Sequence, residues 1–262
     1  MTRALKLAVT AAILAALTTA ALAGAESTRK GNLQLTLTGE LAPKALPRSG
    51  DAPIAVTVGG KITTTDGSAP PKLKTLAIDL NSSGRIDSQG LPVCPISSIQ
   101  PGSSSRALDA CRPSLVGKGT FKAEIALAGQ DSYPTGGRML LFNSSEGGKD
   151  VLFGHIYASR PFATSFVIVF KIKKLGKGSF GTSLAAVLPP SLLNWGNITG
   201  IEMKLQRSFS SGGKRHSYLS AGCPTPKGVP KATFPLTKTT FGFTDGRKIS
   251  STLVRTCKST GK

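Results

Sequence analysis

Residues 32–38 have the sequence Asn-Leu-Gln-Leu-Thr-Leu-Thr, in which Leu33, Leu35 and Leu37 alternate with polar side chains. Successive side chains of an extended strand point to opposite faces, so this alternation is typical of a strand with one buried and one solvated face. The same period of two recurs at residues 76–80 and 201–206. These segments predict a fold built from β-strands.

Two further stretches extend this pattern. Phe166–Phe170 is apolar at every position, which predicts a strand that is buried on both faces. Asp245-Gly246, between Phe241–Thr244 and Arg247–Ile249, predicts a hairpin with a two-residue turn. Helical patterns are confined to residues 103–110 and to residues 191–195, which follow Pro189-Pro190.

Because two short helices cannot provide βαβ crossovers, we expect antiparallel sheets. The predicted fold class is all-β with very little helix. The expected architecture is an antiparallel β-sandwich, and the alternative is a curved half-barrel. The predicted organisation is a signal peptide (1–25), a β segment (26–93), a Ser/Gly/Pro-rich disulfide-closed connection (94–118) and a second β segment (119–262) that forms one continuous domain with the first.

The N-terminus has the layout of a secretory signal peptide. Arg3 and Lys6 precede an uncharged, Ala-rich stretch, and small residues follow at cleavage spacing up to Ala25. An uncleaved membrane anchor is the alternative. Export to the cell envelope or the medium is the predicted localisation.

The four cysteines fit an oxidising compartment. Cys94, Cys111, Cys223 and Cys257 make an even number, and none stands in a Cys-x-x-Cys motif. Three pairings are possible, and we favour nearest neighbours, Cys94–Cys111 and Cys223–Cys257.

The net charge is the strongest indication of a partner. The chain has 33 Lys and Arg residues against 13 Asp and Glu residues, a net charge of +20, and removal of residues 1–25 leaves +18. Such an excess favours anionic partners, here a cell-wall polymer or a membrane surface, although solubility and protection of sheet edges would also explain it. Sequence-specific nucleic-acid binding is not expected because no recognition helix is predicted. The candidate polyanion-binding residues are Lys171, Lys173, Lys174, Lys177, Lys214 and Arg215.

No catalytic residues, resident metal or cofactor are predicted. Asp79–Asp87 resembles a calcium loop in its oxygen side chains, but position 12 is Gly90 and the preceding residues predict a strand, so a hairpin tip is the competing interpretation. His155 and His216 are expected on a sheet face or at the surface, without zinc.

Three functions remain open at this stage. The first is a non-enzymatic exported protein that binds anionic envelope polymers. The second is a hydrolase of polysaccharides, which would need two carboxylates across a cleft, whereas Asp79, Asp87, Glu202 and Asp245 are scattered along the chain. The third is a lipid carrier whose curved sheet encloses an apolar cavity. The sequence does not fix an oligomeric state.

Several short stretches resemble a group of uncharacterised secreted proteins predicted in high-GC bacteria. They are Gly90–Cys94, Ser165–Ile168, Gly178–Thr182 and Tyr218–Pro224. The resemblance implies an exported protein and supplies no activity, cofactor or site residue.

Overall fold

A computed structural model describes residues 25–126, 129 and 131–261 of the chain. Its strands are, in chain order, β1 Ala25–Lys30, β2 Leu33–Ala42, β3 Ala45–Pro47, β4 Ala52–Pro53, β5 Ala55–Thr64, β6 Leu73–Asn81, β7 Gly84–Ile86, β8 Leu115–Ile125, β9 Tyr133–Glu146, β10 Lys149–Ala158, β11 Thr164–Lys174, β12 Phe180–Val187, β13 Asn197–Leu205, β14 Ser208–Ser211, β15 Lys214–Ser217, β16 Leu219–Ala221, β17 Lys231–Phe243 and β18 Lys248–Thr260. The helices are α1 Ser104–Cys111 and α2 Pro190–Trp195, with short 3-10 turns at Ile96–Ser98 and Arg112–Ser114.

Thirteen of these strands form one large sheet that curls into a half-barrel. Their order across the sheet is β1-β2-β5-β13-β8-β9-β10-β11-β12-β6-β17-β18-β3. With 61% strand and 9% helix, the all-β prediction is confirmed, and the arrangement is the curved half-barrel that the sequence left as the alternative. The expectation of purely antiparallel pairing misses one short contact, because β3 runs parallel to the end of β18.

The alternating leucines behave as the sequence predicts. Leu33, Leu35 and Leu37 have no exposed surface and face the inside of the curled sheet.

Two glycines on the same inner face explain how opposite parts of the sheet approach each other. A side chain at Gly60 would lie 2.6 Å from Phe241 Cζ, and one at Gly39 would lie 2.9 Å from Leu253 Cδ2. Phe241 and Leu253 therefore pack in the space that these glycines leave free.

The two sides of the half-barrel meet along a seam between β1 and β18. Thr28 Oγ1 donates a hydrogen bond to Ser251 Oγ at 2.9 Å, and the backbone N–H of Val254 donates to Glu26 Oε1 at 3.0 Å. Side chains thus hold the seam at these points, where β18 runs past β1.

A second layer covers the outside of β9, β10 and β11. Residues 92–114, which we call the cover segment, run along these strands, turn, and return as α1. The N–H of Cys94 donates to the Asn143 carbonyl at 3.0 Å, and Gln100 Nε2 donates to the Ser165 carbonyl at 3.1 Å. This layer explains why residues 166–170 of β11 are apolar throughout, because the strand has a core on each face.

The disulfides and both helices agree with the sequence predictions. Cys94 is bonded to Cys111 inside the cover segment, and Cys223 is bonded to Cys257 in the main core. Ser103 caps α1 by accepting a hydrogen bond from the N–H of Arg106. The connection predicted at 94–118 ends a few residues earlier in the structure, because β8 already begins at Leu115. The predicted signal peptide lies outside the described residues except for Ala25, the first residue of β1.

The Asp245-Gly246 hairpin is present with a longer connection than predicted. The last pair of β17 and β18 is Gly242 with Lys248, so more than two residues form the turn. Thr244 leaves the ladder because its N–H donates to the Lys72 carbonyl at 2.9 Å.

Candidate functional site

The antiparallel order divides the connections between strands into two sets at opposite ends of the half-barrel. We call the lower end the one that holds the connections after β2, β6, β9, β11 and β13, which also includes the small strands β4, β7, β14, β15 and β16. The upper end holds the connections after β1, β5, β8, β10, β12 and β17. Alternate hairpins of an up-and-down sheet fall at the same end, so residues far apart in sequence become neighbours.

All six predicted polyanion-binding residues lie at or beside the lower end, and all are exposed. Lys171 and Lys173 alternate on the outer face of β11, Lys174 ends that strand, and Lys177 lies in the turn before β12. Lys214 and Arg215 lie on the hairpin of β14 and β15. The structure therefore places the two sequence clusters at one end of the molecule.

Charge is unevenly distributed between the two ends. The count covers the connections, the small strands, and the first two and last two residues of each long strand. By this count, which leaves out the cover segment, the lower end has thirteen basic and five acidic residues, a net charge of +8, and the upper end has seven basic and four acidic residues, a net charge of +3. The lower basic residues are Lys44, Arg48, Arg85, Lys149, Lys173, Lys174, Lys177, Lys204, Arg207, Lys214, Arg215, Lys227 and Lys231.

The acidic groups of the lower end neutralise little of this charge. Asp51 pairs with Arg85 at 3.0 Å, and no other ion pair joins one of the thirteen basic residues to a described acidic residue. Asp150 accepts a hydrogen bond from Ser88 Oγ at 2.7 Å. The exposed lysines are consequently available to an external anion.

The hairpin that presents Lys214 and Arg215 is anchored to the body by its neighbouring residue, His216. His216 Nδ1 lies 3.4 Å from Asp87 Oδ2, and its ring stacks on Phe209 with centroids 5.4 Å apart. In the sequence His216 only follows Lys214 and Arg215, and its contact with Asp87 depends on tertiary packing.

The Asp79–Asp87 segment turns at Ser82 and Ser83 from β6 into β7, and it is not the hairpin tip expected from the sequence, because β7 pairs with β16 and not with β6. Asn81 Oδ1 accepts the N–H of Ser83 at 2.9 Å, and Asn81 Nδ2 donates to the Pro235 carbonyl at 2.9 Å. Asp79 is on the paired part of β6, whereas Asp87 faces His216. Within the described ranges, no group of three or more His, Cys, Asp or Glu side chains could hold a metal ion.

His155 is a buried sheet-face residue beneath the cover segment. Its Nε2 donates to the Gly102 carbonyl at 3.1 Å, and its buried Nδ1 has no hydrogen-bond partner among the described residues. Burial lowers the pKa of His155 below its usual value, and the carbonyls of Gly102 and Ile99 oppose this only in part. The neutral ring is therefore the form that the fold accommodates.

We expect this histidine to make stability depend on pH. Below a pH of about 6.5 the unfolded chain binds a proton at His155 that the folded chain does not bind, so folding stability should fall on acidification by up to about 1.4 kcal/mol per pH unit. The fall continues until the pH reaches the lower pKa of the folded state. Denaturant unfolding of the protein between pH 7 and pH 5 measures this slope.

The variant His155→Leu should flatten the slope over that range, whereas His216→Gln should keep it. A slope that persists in His155→Leu would assign the pH dependence to other groups.

The four acids considered for hydrolysis do not converge. Asp87 and Asp245 lie at opposite ends, and Asp79 and Glu202 belong to strands separated by several others in the sheet. Glu202 instead shares a groove with Glu40, a residue that the sequence analysis did not single out. The alternation of polar and apolar residues along β2 and β13 places Glu40 and Glu202 on the outer face. Only the pairing of these strands with β5 shows that the two glutamates line the same groove.

An apolar pocket lies at the lower end, lined by residues that include Leu41, Leu80 and Leu219. Its cavity volume is about 30 Å³, against the roughly 300–1,000 Å³ of ligand pockets. This pocket is too small for an acyl chain.

None of the helices in the described residues is both long and apolar enough to cross a membrane. Comparisons with protein-family models, curated proteins and solved structures gave no match.

Proposed function

We propose that this chain is an exported, non-enzymatic β protein that binds anionic polymers of the cell envelope through its lower end. The observation that supports this most is the concentration of charge at that end, +8 against +3, on exposed lysines. A polyanion attracted to such a surface would meet it in one orientation, because the opposite end offers less than half of that net charge.

Export is supported by two independent features. The N-terminal sequence has the layout of a signal peptide, and both disulfides are in buried positions where they link neighbouring parts of the fold. An anionic envelope polymer would then be the partner that an exported basic protein meets first.

The other two functions have weaker support. Glu40 and Glu202 lie two strands apart and two residues out of register, which places their Cα atoms on the order of 12 Å apart. Both are exposed, whereas a general acid needs an environment that raises its pKa. A lipid carrier would need a larger cavity than the apolar pocket described above.

The experiment is retention of the protein on an immobilised anionic cell-wall polymer as salt is raised. The variant Lys173→Glu/Lys174→Glu/Lys177→Glu should bind roughly 100-fold more weakly at low salt, since each lysine near an anionic surface contributes about 1 kcal/mol. The matched control is Lys30→Glu/Arg160→Glu/Lys248→Glu, which makes the same charge change at the upper end.

The control should keep most of the affinity. Equal losses in the two variants would show that net charge alone acts, and absence of binding by the unmodified chain at low salt would refute the proposal.

A further inference from the structure

A groove with a volume of about 830 Å³ runs beside the seam on the outside of the half-barrel. One side is the outer face of β2 and β5, which contributes Thr36, Thr38 and Thr57. The other side is residues 254–258 of β18, and Lys44 and Lys231 close its lower part. Its volume falls within the roughly 300–1,000 Å³ range of ligand pockets.

A glycine beneath the groove lets two of its polar side chains approach each other. Thr38, Gly59 and Glu202 are direct neighbours across β2, β5 and β13. A side chain at Gly59 would place its Cβ 2.7 Å from Thr38 Oγ1 and 3.6 Å from Glu202 Oε2. Because Gly59 has none, the Thr38 hydroxyl and the Glu202 carboxylate both reach over it and line the groove as neighbours.

The wall on the β18 side is fixed by Arg255. Its Nη1 donates to Glu26 Oε1 at 2.9 Å, and its Nε donates to the Gly39 carbonyl at 2.7 Å. Lys258 is held by its backbone N–H, which donates to the Lys44 carbonyl at 2.7 Å. These hydrogen bonds hold β18 against β1, against β2 and against the residues that follow β2. The groove between them therefore has its shape before a ligand binds.

The charged side chains that line the groove include lysines, which can attract an anion, and glutamates, which can accept hydrogen bonds from hydroxyl groups. Lys44, Lys231 and Lys258 are exposed, and none forms an ion pair with a described residue. Glu40 and Glu202 likewise form no ion pair with a described residue. Ammonium groups attract an anion, while carboxylates repel a bare polyanion and accept hydrogen bonds from hydroxyl groups.

From this combination we infer that the groove binds a short segment of an acidic oligosaccharide, with ligand carboxylates on the lysines and ligand hydroxyls on Glu40, Glu202 and the threonines. The inference rests on the proposed function, since it names the ligand class within the anionic polymers. A negatively charged polymer without hydroxyl groups can pair with the lysines, but it offers no hydroxyl donor to Glu40 and Glu202. The two carboxylates then only repel it.

The test is calorimetric titration of the full chain with three probes: a hexamer of galacturonic acid, maltohexaose as its neutral counterpart, and a short polyphosphate. The hexauronate should bind most tightly. Glu202→Gln should weaken hexauronate binding about tenfold, since it removes a charged hydrogen-bond acceptor. The same variant should strengthen polyphosphate binding, because it removes a repulsive charge.

Two double variants separate the groove from the general charge of the chain. Lys231→Ala/Lys258→Ala should weaken hexauronate binding at least tenfold, whereas Lys30→Ala/Lys248→Ala, with the same loss of charge at the upper end, should leave it nearly unchanged. Equal effects of the two double variants, or a Glu202→Gln change of the same sign for both anions, would overturn the inference. Retention on long polymers would in that case still support the proposed function, which fails separately if the unmodified chain is not retained.

Discussion

Replacing Cys223 and Cys257 together by alanine should lower the free energy of unfolding by about 4 kcal/mol. The bond closes a loop with a sequence separation of 34, and the chain-entropy model assigns such a loop about 4 kcal/mol. Both sulfur atoms belong to residues of the main core, so their removal also leaves buried space unfilled. For a protein of this size, the melting temperature should fall by roughly 8–16 °C in differential scanning calorimetry.

The other disulfide supplies the control. Cys94→Ala/Cys111→Ala opens a loop with a sequence separation of 17 in the cover segment, so we expect a loss of about 3 kcal/mol. Only the Cys223–Cys257 bond adjoins Lys258 and the segment that leads to Lys231. Binding of the acidic hexamer should therefore weaken in the first double variant and persist in the second at temperatures where both are folded. Equal binding in both variants would contradict this role for the bond.

Gly119→Ala should destabilise the protein by about 3 kcal/mol or more, at the upper end of what overpacking costs. A Cβ at this position would lie 1.9 Å from the carbonyl oxygen of Glu202, 3.0 Å from its carbonyl carbon and 3.1 Å from Met203 Cα. All three are backbone atoms of the adjacent strand, so no side-chain rotation relieves the conflict, and β8 and β13 must move apart.

The matched control is Gly176→Ala, since a Cβ there meets nothing within 4 Å and the residue has no positive φ. Urea unfolding of both variants measures the difference directly. A midpoint for Gly119→Ala close to that of Gly176→Ala would show that the sheet separates at this place at little cost.

Local features of the fold were predictable from sequence because their causes are local. The period of two at Leu33, Leu35 and Leu37 follows from strand geometry, and Ser103 marks the start of α1 by its capping chemistry. The uninterrupted apolar run at 166–170 indicated burial on both faces. The sequence did not indicate that the cover segment provides the second layer there.

The choice between sandwich and half-barrel depended on contacts between distant residues. Gly60 and Gly39 resemble ordinary strand glycines in sequence, and their importance appears only once Phe241 and Leu253 are seen beside them. The groove is hidden for the same reason, because Glu40 and Glu202 lie far apart along the chain and meet through the pairing of β2, β5 and β13. The lysine clusters were visible in the sequence, but their meeting at one end required the order of the strands.

Trp195 in helix α2 gives the molecule a built-in optical reporter. It is the single tryptophan of the chain, it is 8% exposed, and it packs at the upper end against Phe166 and Phe121 with centroids 5.4 Å and 6.3 Å away. Its fluorescence will shift when the core opens to water. A ligand at the lower end is remote from the indole, so emission intensity can follow denaturation in samples that already contain ligand.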